Sequence, residues 1–320
     1  MAKIEIDHIL CPMDFSEQSL HAYNYAVALG RWYDARITAL HILVTRPAFG
    51  AVPSMYTLML PPFTLDELRR DLVRDLERCV RIPDASQLHV DVVVQEAPSV
   101  HHEILAQAGI LNSDLIIIGT HGLGGFDRLV LGSVTEKVLR KASAPVLVIP
   151  PRAAATPSTS QVRFKRILCP VDFSSGAMAG LEYAVSLAEE ADAELTLLHV
   201  VDDVVMYDLA RSAQDVAALK KSSLEALQQL LPADVRTYCS VETLVTEGRP
   251  AREILKAATA RAADVIVMGV QGRNALDRMV FGSNTHAVIR AADCPVLTVR
   301  CPENRRSQQA TSTGGTNDGD

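Results

Sequence analysis

Two glycine-rich stretches hold the residue types best suited to gripping an anion. GTHGLGGFDRLVLGS (119–133) and GVQGRNALDRMVFGS (269–283) share one spacing, Gly-x-x-Gly, nine residues, then Gly-Ser. The glycines are Gly119, Gly122 and Gly132, then Gly269, Gly272 and Gly282. Each Gly-Ser leads into a helical pattern, VTEKVLR or NTHAVIR, so Ser133 and Ser283 are expected to cap a helix N-terminus. Unpaired N–H groups and the helix dipole favour an anion there, and glycine lets the backbone approach a phosphate closely. The hydroxyls of Ser133, Thr135, Ser283 and Thr285 add donors. The pattern is neither a Walker loop nor GxGxxG, because no Gly-Lys-Ser/Thr follows. Taken singly these features are ordinary turn chemistry. Their recurrence at identical spacing excludes chance, though not a purely structural need.

Other chemistry-bearing side chains carry less. Asp14 and Asp172 could be catalytic carboxylates, but DFSEQS and DFSSGA read better as an Asp capping the next helix. His121 has Gln271 at its counterpart position, so the two stretches share no catalytic histidine. His41 and His199 match one another inside apolar strands and read as satisfied structural residues. His101 and His102 are adjacent on one helix, a poor arrangement for a single metal, and no zinc or iron spacing occurs. No catalytic residue and no metal ligand is assigned. Arg128 and Arg278 are equally suited to lying near a phosphate or to pairing locally with Asp127 and Asp277. Cys11 and Cys169 lie in apolar strands as small hydrophobes, and none of the six cysteines forms a CxxC pair. The apolar stretch 45–63, with Met55, Tyr56, Leu58, Met59 and Leu60, reads as packing surface rather than a lid.

The elements that must position these residues are duplicated. Residues 8–43 align without a gap to 166–201 with 16 of 36 identical, and 119–150 to 269–300 with 14 of 32 identical. The offset falls from 158 to 150, so the first copy carries about eight extra residues in its middle. The expected organisation is a domain over 1–150, a linker over 151–161 (PRAAATPSTSQ), a second domain over 162–301 and a disordered tail over 302–320. In the first copy the strands are IDHILCPMD, RITALHILV, LHVDVVVQ, DLIIIGT and APVLVIP, with helices near 17–31, 65–80, 98–110 and 134–142. Five strands alternating with four helices imply, in each copy, an open five-stranded parallel sheet with helices on both faces, a Rossmann-like α/β fold. Ligands then bind beyond the carboxyl ends of the strands, at the loops after strands one and four.

Composition narrows the function. A net charge of −7 suits neither a nucleic-acid backbone nor an acidic membrane surface. No apolar run is long enough to span a bilayer, and the start MAKIEIDHIL lacks a signal-peptide core, so a cytoplasmic location is expected.

On these motifs the chain resembles the universal stress protein family in its tandem two-domain form, over nearly all of 4–150 and 162–301. Gly-x-x-Gly, nine residues, Gly-Ser resembles that family's ATP-binding signature. The Pro-x-Asp closing strand one and the final Pro-Val-Leu strand support the likeness. The resemblance implies a fold like the adenine nucleotide alpha hydrolases, with ATP as ligand and magnesium left open as its companion. It places Pro12, Asp14, Pro170 and Asp172 by the adenine and ribose, with Ile42 and Val200 at the adenine edge. It places Gly119, Gly122, Gly269 and Gly272 along the ribose and first phosphates. Gly132, Ser133, Val134, Thr135, Gly282, Ser283, Asn284 and Thr285 would hold the outer phosphates. One departure stands out: EGRPAREIL in the second copy matches a Gly-x-Pro turn, whereas QEAPSVHHEIL puts Glu96 opposite Gly248, which predicts a weaker first site. The implied function is a nucleotide-dependent regulator in the stress response. The family holds both non-hydrolysing binders and slow ATPases, so turnover stays open, leaning against. The alternatives are an ATP-hydrolysing or ATP-pyrophosphate-cleaving enzyme on the same fold, and a thiol redox sensor. The resemblance further implies an intramolecular pairing of the two fifth strands, APVLVIP and CPVLTVR. A homodimer and an unnamed protein partner also stay open.

Overall fold

The computed structural model describes residues 3–44, 65–81, 88–120, 131–154, 164–202, 213–231, 235–270 and 282–301. The chain divides into two compact units, one built mainly on residues 4–164 and the other mainly on 165–288. The first contains β1 (His8–Pro12), α1 (Glu17–Tyr33), β2 (Arg36–Val44), α2 (Leu65–Cys79), β3 (Val90–Ala97), α3 (Val100–Ile110), β4 (Leu115–Gly119), α4 (Ser133–Lys141) and β5 (Val146–Ile149). The second copy contains β6 (Arg166–Pro170), α5 (Ser175–Ala191), β7 (Glu194–Asp202), α6 (Ala213–Gln229) and a short α7 (Val235–Tyr238). It continues with β8 (Ser240–Gly248), α8 (Pro250–Ala260), β9 (Val265–Gly269), α9 (Ser283–Ala291) and β10 (Val296–Val299).

In the first copy the strand order is β3-β2-β1-β4-β5, and in the second β8-β7-β6-β9-β10. The pairings of β1 with β2 and β4, of β2 with β3, and of β4 with β5 are all parallel. So are those of β6 with β7 and β9, and of β7 with β8. The α/β expectation holds. Continuous apolar runs make these strands because helices cover both faces: all five residues of β4 (LIIIG) are buried. Ile9, Leu10, Ile116 and Ile117 are fully buried at the centre, each contributing roughly 1.5–3 kcal/mol by leaving water. The chain leaves β1 in one direction through β2 and β3, then returns to the other side of β1 as β4. That reversal opens the crevice between β1 and β4.

Helices α1 and α5 begin and end alike. Ser16 and Ser174 cap their N-termini, accepting from the amides of Ser19 and Ala177. Asp34 and Asp192 end them in the left-handed conformation, at φ 55° and 49°. A further pair of left-handed residues, Asn112 (φ 49°) and Ala262 (φ 46°), follows α3 and α8.

Candidate functional site

The crevice starts in the sheet itself. The register of β1 with β4 consists of Ile9–Leu115 and Leu10–Ile116, and that of β6 with β9 of Ile167–Val265 and Leu168–Ile266. Beyond those pairs each two-strand unit splays towards its carboxyl end. Pro12 and Pro170 are the last residues of β1 and β6 and have no N–H to leave unpaired there. They pair on the other side with Leu40 and Leu198.

Asp14 and Asp172 follow at the mouth. Asp14 Oδ1 accepts from the Ser16 amide at 3.1 Å and from the Ser16 hydroxyl. Asp172 Oδ1 does the same with the amide of Ser174, at 3.0 Å, and its hydroxyl. The helix cap is therefore the serine, not the aspartate: the aspartate holds the cap serine, one step further out than expected. Ile42 and Val200 lie on the neighbouring strands, in register with Gln95 and Thr246.

The far wall is the strand-four glycine. A Cβ on Gly119 would meet the Gln18 carbonyl oxygen at 3.2 Å, and one on Gly269 would clash with the Gly176 backbone. Only glycine lets α5 lie this close to β9, while the approach of α1 to β4 is merely tight. Thr135 Oγ1 donates to the Gly119 carbonyl at 2.8 Å, and Thr285 Oγ1 to the Gly269 carbonyl at 3.1 Å. Those hydroxyl protons tie the next helix to the strand end instead of facing outward.

The start of α4 corrects another expectation. Its N-cap is Gly132, with φ −58° and ψ 138° and no side-chain cap, so Ser133 is the first helical residue. Glycine lacks the side-chain oxygen that would occupy the first-turn amides, so these have no side-chain cap. The Gly132 amide donates to the Thr120 carbonyl and its own carbonyl accepts from Glu136. Gly282 repeats both contacts with Val270 and His286. Ser133, Ser283 and Asn284 are exposed, while Thr135 and Thr285 are buried. In each copy these contacts gather the candidate residues at one end of the sheet. They are Pro12, Asp14, Ile42, Gly119 and Gly132 to Thr135 in the first, and Pro170, Asp172, Val200, Gly269 and Gly282 to Thr285 in the second. Gly122, Gly272, His121, Gln271, Arg128, Arg278 and the stretch 45–63 lie outside the described residues.

The supposed handicap of the first site disappears. Leu43 pairs with Glu96 and Val44 with Ala97, whereas Val201 pairs with Glu247 and Asp202 with Gly248. Glu96 is thus the counterpart of Glu247, and both are exposed. Ala97, not Glu96, stands where Gly248 does. Gly248 takes φ 136°, a conformation open to glycine alone.

Two polar groups here gave no signal in the sequence. Gln18 lies against Gly119 with its Oε1 buried and unpartnered, and Gly176 replaces it in the second copy. Thr246 Oγ1, beside Val200, is likewise buried without a partner. A polar residue in an amphipathic helix or strand reads as solvent-facing until its neighbours are known. His41 and His199 are satisfied, as expected: their Nδ1 atoms lie 2.8 and 2.7 Å from the carbonyls of Met13 and Val171. Cys11 and Cys169 are fully buried, and burial raises both thiols, Cys169 to about 12. That environment suits an inert thiol rather than a sensor. Among the described residues no group of three His, Cys, Asp or Glu side chains could hold a metal ion, and no helix is long and apolar enough to cross a membrane.

The sequence model of the universal stress protein family matches residues 5–150 and 163–300. The chain belongs to that family. Universal stress protein MJ0531 of Methanocaldococcus jannaschii is 34% identical over 143 residues, covering 44% of this chain and 84% of the relative. A universal stress protein of Mycolicibacterium smegmatis is 25% identical over 300 residues, covering 91% of this chain and 96% of its own. Among solved structures, a universal stress protein from Archaeoglobus fulgidus matches with a TM-score of 0.64 at 22% identity, covering 94% of this chain and 98% of that one. The long matches span both copies, so this is a tandem universal stress protein domain.

Proposed function

We propose that each universal stress protein domain of this chain binds one adenine nucleotide, ATP by the likeness of its glycine signature, and that binding regulates partners instead of driving rapid turnover. The observation that carries the reading is the duplicated helix start at Gly132 and Gly282, where glycine supplies no cap beside a splayed β1/β4 or β6/β9 pair. First-turn amides, the helix dipole and the exposed Ser133 and Ser283 form a donor set suited to phosphate oxygens. Bound nucleotide would supply a polyphosphate charge that differs between ATP and ADP. The protein's part is to hold it: Asp14 and Asp172, fixed by the cap serines, would face the sugar, and the backbone at Ile42 and Val200 the base edge. Magnesium would enter with the triphosphate and not as a resident ion.

The test is direct. Freshly purified protein is denatured and the released small molecules are identified by mass spectrometry, with ATP or ADP the expected finding. Gly132→Val together with Gly282→Val should abolish ATP binding while the far-ultraviolet circular dichroism stays unchanged. A folded double variant with unaltered ATP affinity would defeat the reading.

A further inference from the structure

We propose that His41 and His199 are positioning residues that fix the Asp14 and Asp172 carboxylates at the mouth of the two sites. The consequence for ligand binding rests on the nucleotide reading above; the geometry does not. Asp14 lies between Met13 and Phe15, and one imidazole holds both neighbours. The His41 Nδ1–H donates to the Met13 carbonyl at 2.8 Å. The ring of the same residue lies against Phe15, with centroids 4.6 Å apart and planes at 50°. Met13 is tied to β2 a second time, its amide donating to the Leu40 carbonyl at 2.8 Å.

The second copy repeats every part. His199 Nδ1 donates to the Val171 carbonyl at 2.7 Å, the ring of His199 lies 4.8 Å from that of Phe173 at 50°, and the Val171 amide donates to Leu198 at 2.8 Å. Between those anchors stands Asp172.

Backbone strain marks the arrangement as more than packing. Phe15 has φ 64° and Phe173 φ 60°, a left-handed conformation rare for a bulky side chain. Such outliers persist where the surroundings over-determine them, and they gather at functional sites. Here the turn brings the Asp carboxylate back over the cap serine, so that Oδ1 reaches the amide of Ser16 or Ser174. A β-strand residue that offers both a planar face to the phenylalanine and a ring N–H to the preceding carbonyl meets this demand. Histidine offers both at once. Donation from Nδ1 leaves Nε2 as the unprotonated nitrogen of the neutral ring.

Three measurements on the full chain decide the matter. Imidazole ¹⁵N spectra of the unmodified protein above pH 8 should show both rings protonated at Nδ1; a proton on Nε2 overturns the proposal. In His41→Leu and His199→Leu, hydrogen exchange at the Ser16 and Ser174 amides should accelerate by about tenfold or more, and ATP affinity at the altered site should fall about as much. His41→Asn and His199→Asn, whose side-chain N–H takes the place of Nδ1–H but which offer no ring to the phenylalanine, should recover part of the loss in both quantities. Leucine variants that keep their amide protection overturn the proposal, as does failure of asparagine to rescue. So does an unchanged ATP affinity in a leucine variant of a chain that binds ATP before substitution. A chain that binds no ATP before substitution defeats the nucleotide reading instead, and the ring tautomer with the amide exchange then decides the positioning role.

Discussion

Cys11 and Cys169 lie in β1 and β6, the middle strand of each copy, one residue before the strand's last, and both are fully buried. A thiolate there would lose its hydration with nothing in return, which is why burial raises both thiols above the ordinary value of 9.0. The folded state therefore keeps its thiol protons at alkaline pH where the unfolded chain releases them. The stability these groups contribute is complete below about pH 9 and is lost as pH rises beyond it. Tyr23, whose hydroxyl donates to the Val80 carbonyl and is raised chiefly by burial, adds to the same trend. Chemical denaturation should give a lower unfolding free energy at pH 10 than at pH 8. Native labelling with a bulky thiol reagent at pH 8 should modify the half-exposed Cys79 and Cys294 and spare Cys11 and Cys169; rapid loss of the two strand thiols would restore the redox alternative. Residue types were legible at this scale and individual bonds were not. DFS announced a helix start, yet whether Asp or Ser accepts the first free amide depends on the left-handed turn at Phe15, which no residue-type preference foretells. The serine of Gly-Ser was misplaced by one position for a similar reason. The extended backbone of a cap fell to Gly132, and Ser133 entered the helix.

Element packing makes unequal demands on the paired glycines. At Gly269 a methyl group would clash with the Gly176 backbone, while at Gly119 the nearest atom is 3.2 Å away. Gly176 and Gly180 let α5 settle closer to β9 than Gln18 and Ala22 let α1 settle against β4. Gly269→Ala must shift a helix and should cost about 1–3 kcal/mol, against less than about 1 kcal/mol for Gly119→Ala. Equal losses in urea denaturation would contradict that difference. The opposite sign is expected at Ala262, which holds φ 46° after α8 where the first copy has Asn112 at φ 49°. Asparagine tolerates this region through local hydrogen bonds, so Ala262→Asn should stabilise by about 0.5–1 kcal/mol, readable in the same titration. Helices foreseen near 17–31 and 65–80 run over Glu17–Tyr33 and Leu65–Cys79, because apolar periodicity and capping residues are local signals. The register of β3 was not local. Pairing the prolines of EAPS and EGRP put Glu96 opposite Gly248, but Pro250 is the first residue of α8 whereas Pro98 precedes the N-cap of α3. Only the pairing with β2 reveals the one-residue slip.

For the whole chain, duplication implies two sites of one design. Glu96 and Glu247 hold equivalent, exposed positions, so this pair does not separate the two sites. Both have a serine-held aspartate, a strand-four glycine bonded to a threonine hydroxyl, and a glycine before the second helix. Neutral differences remain at Gln18 against Gly176, Val134 against Asn284 and Ala97 against Gly248, and charged ones in the first helical turns at Glu17 against Ser175 and Glu136 against His286. One neutral hydrogen bond, or one exposed charge such as Glu136 that is already paired with Arg140, changes a binding free energy by about 1 kcal/mol, so the two dissociation constants should lie within about tenfold of one another. Calorimetric titration with ATP should give two sites per unmodified chain and one in each of Gly132→Val and Gly282→Val. The single-site variants isolate the two constants. Stability should follow occupancy. Saturation at a hundred times the dissociation constant adds about 2.7 kcal/mol for each intact site, so a single variant should gain about half the protection of the parent chain. A silent site in either variant, or constants more than about a hundredfold apart, would mean that one of those exchanges governs binding and that the copies have diverged in function.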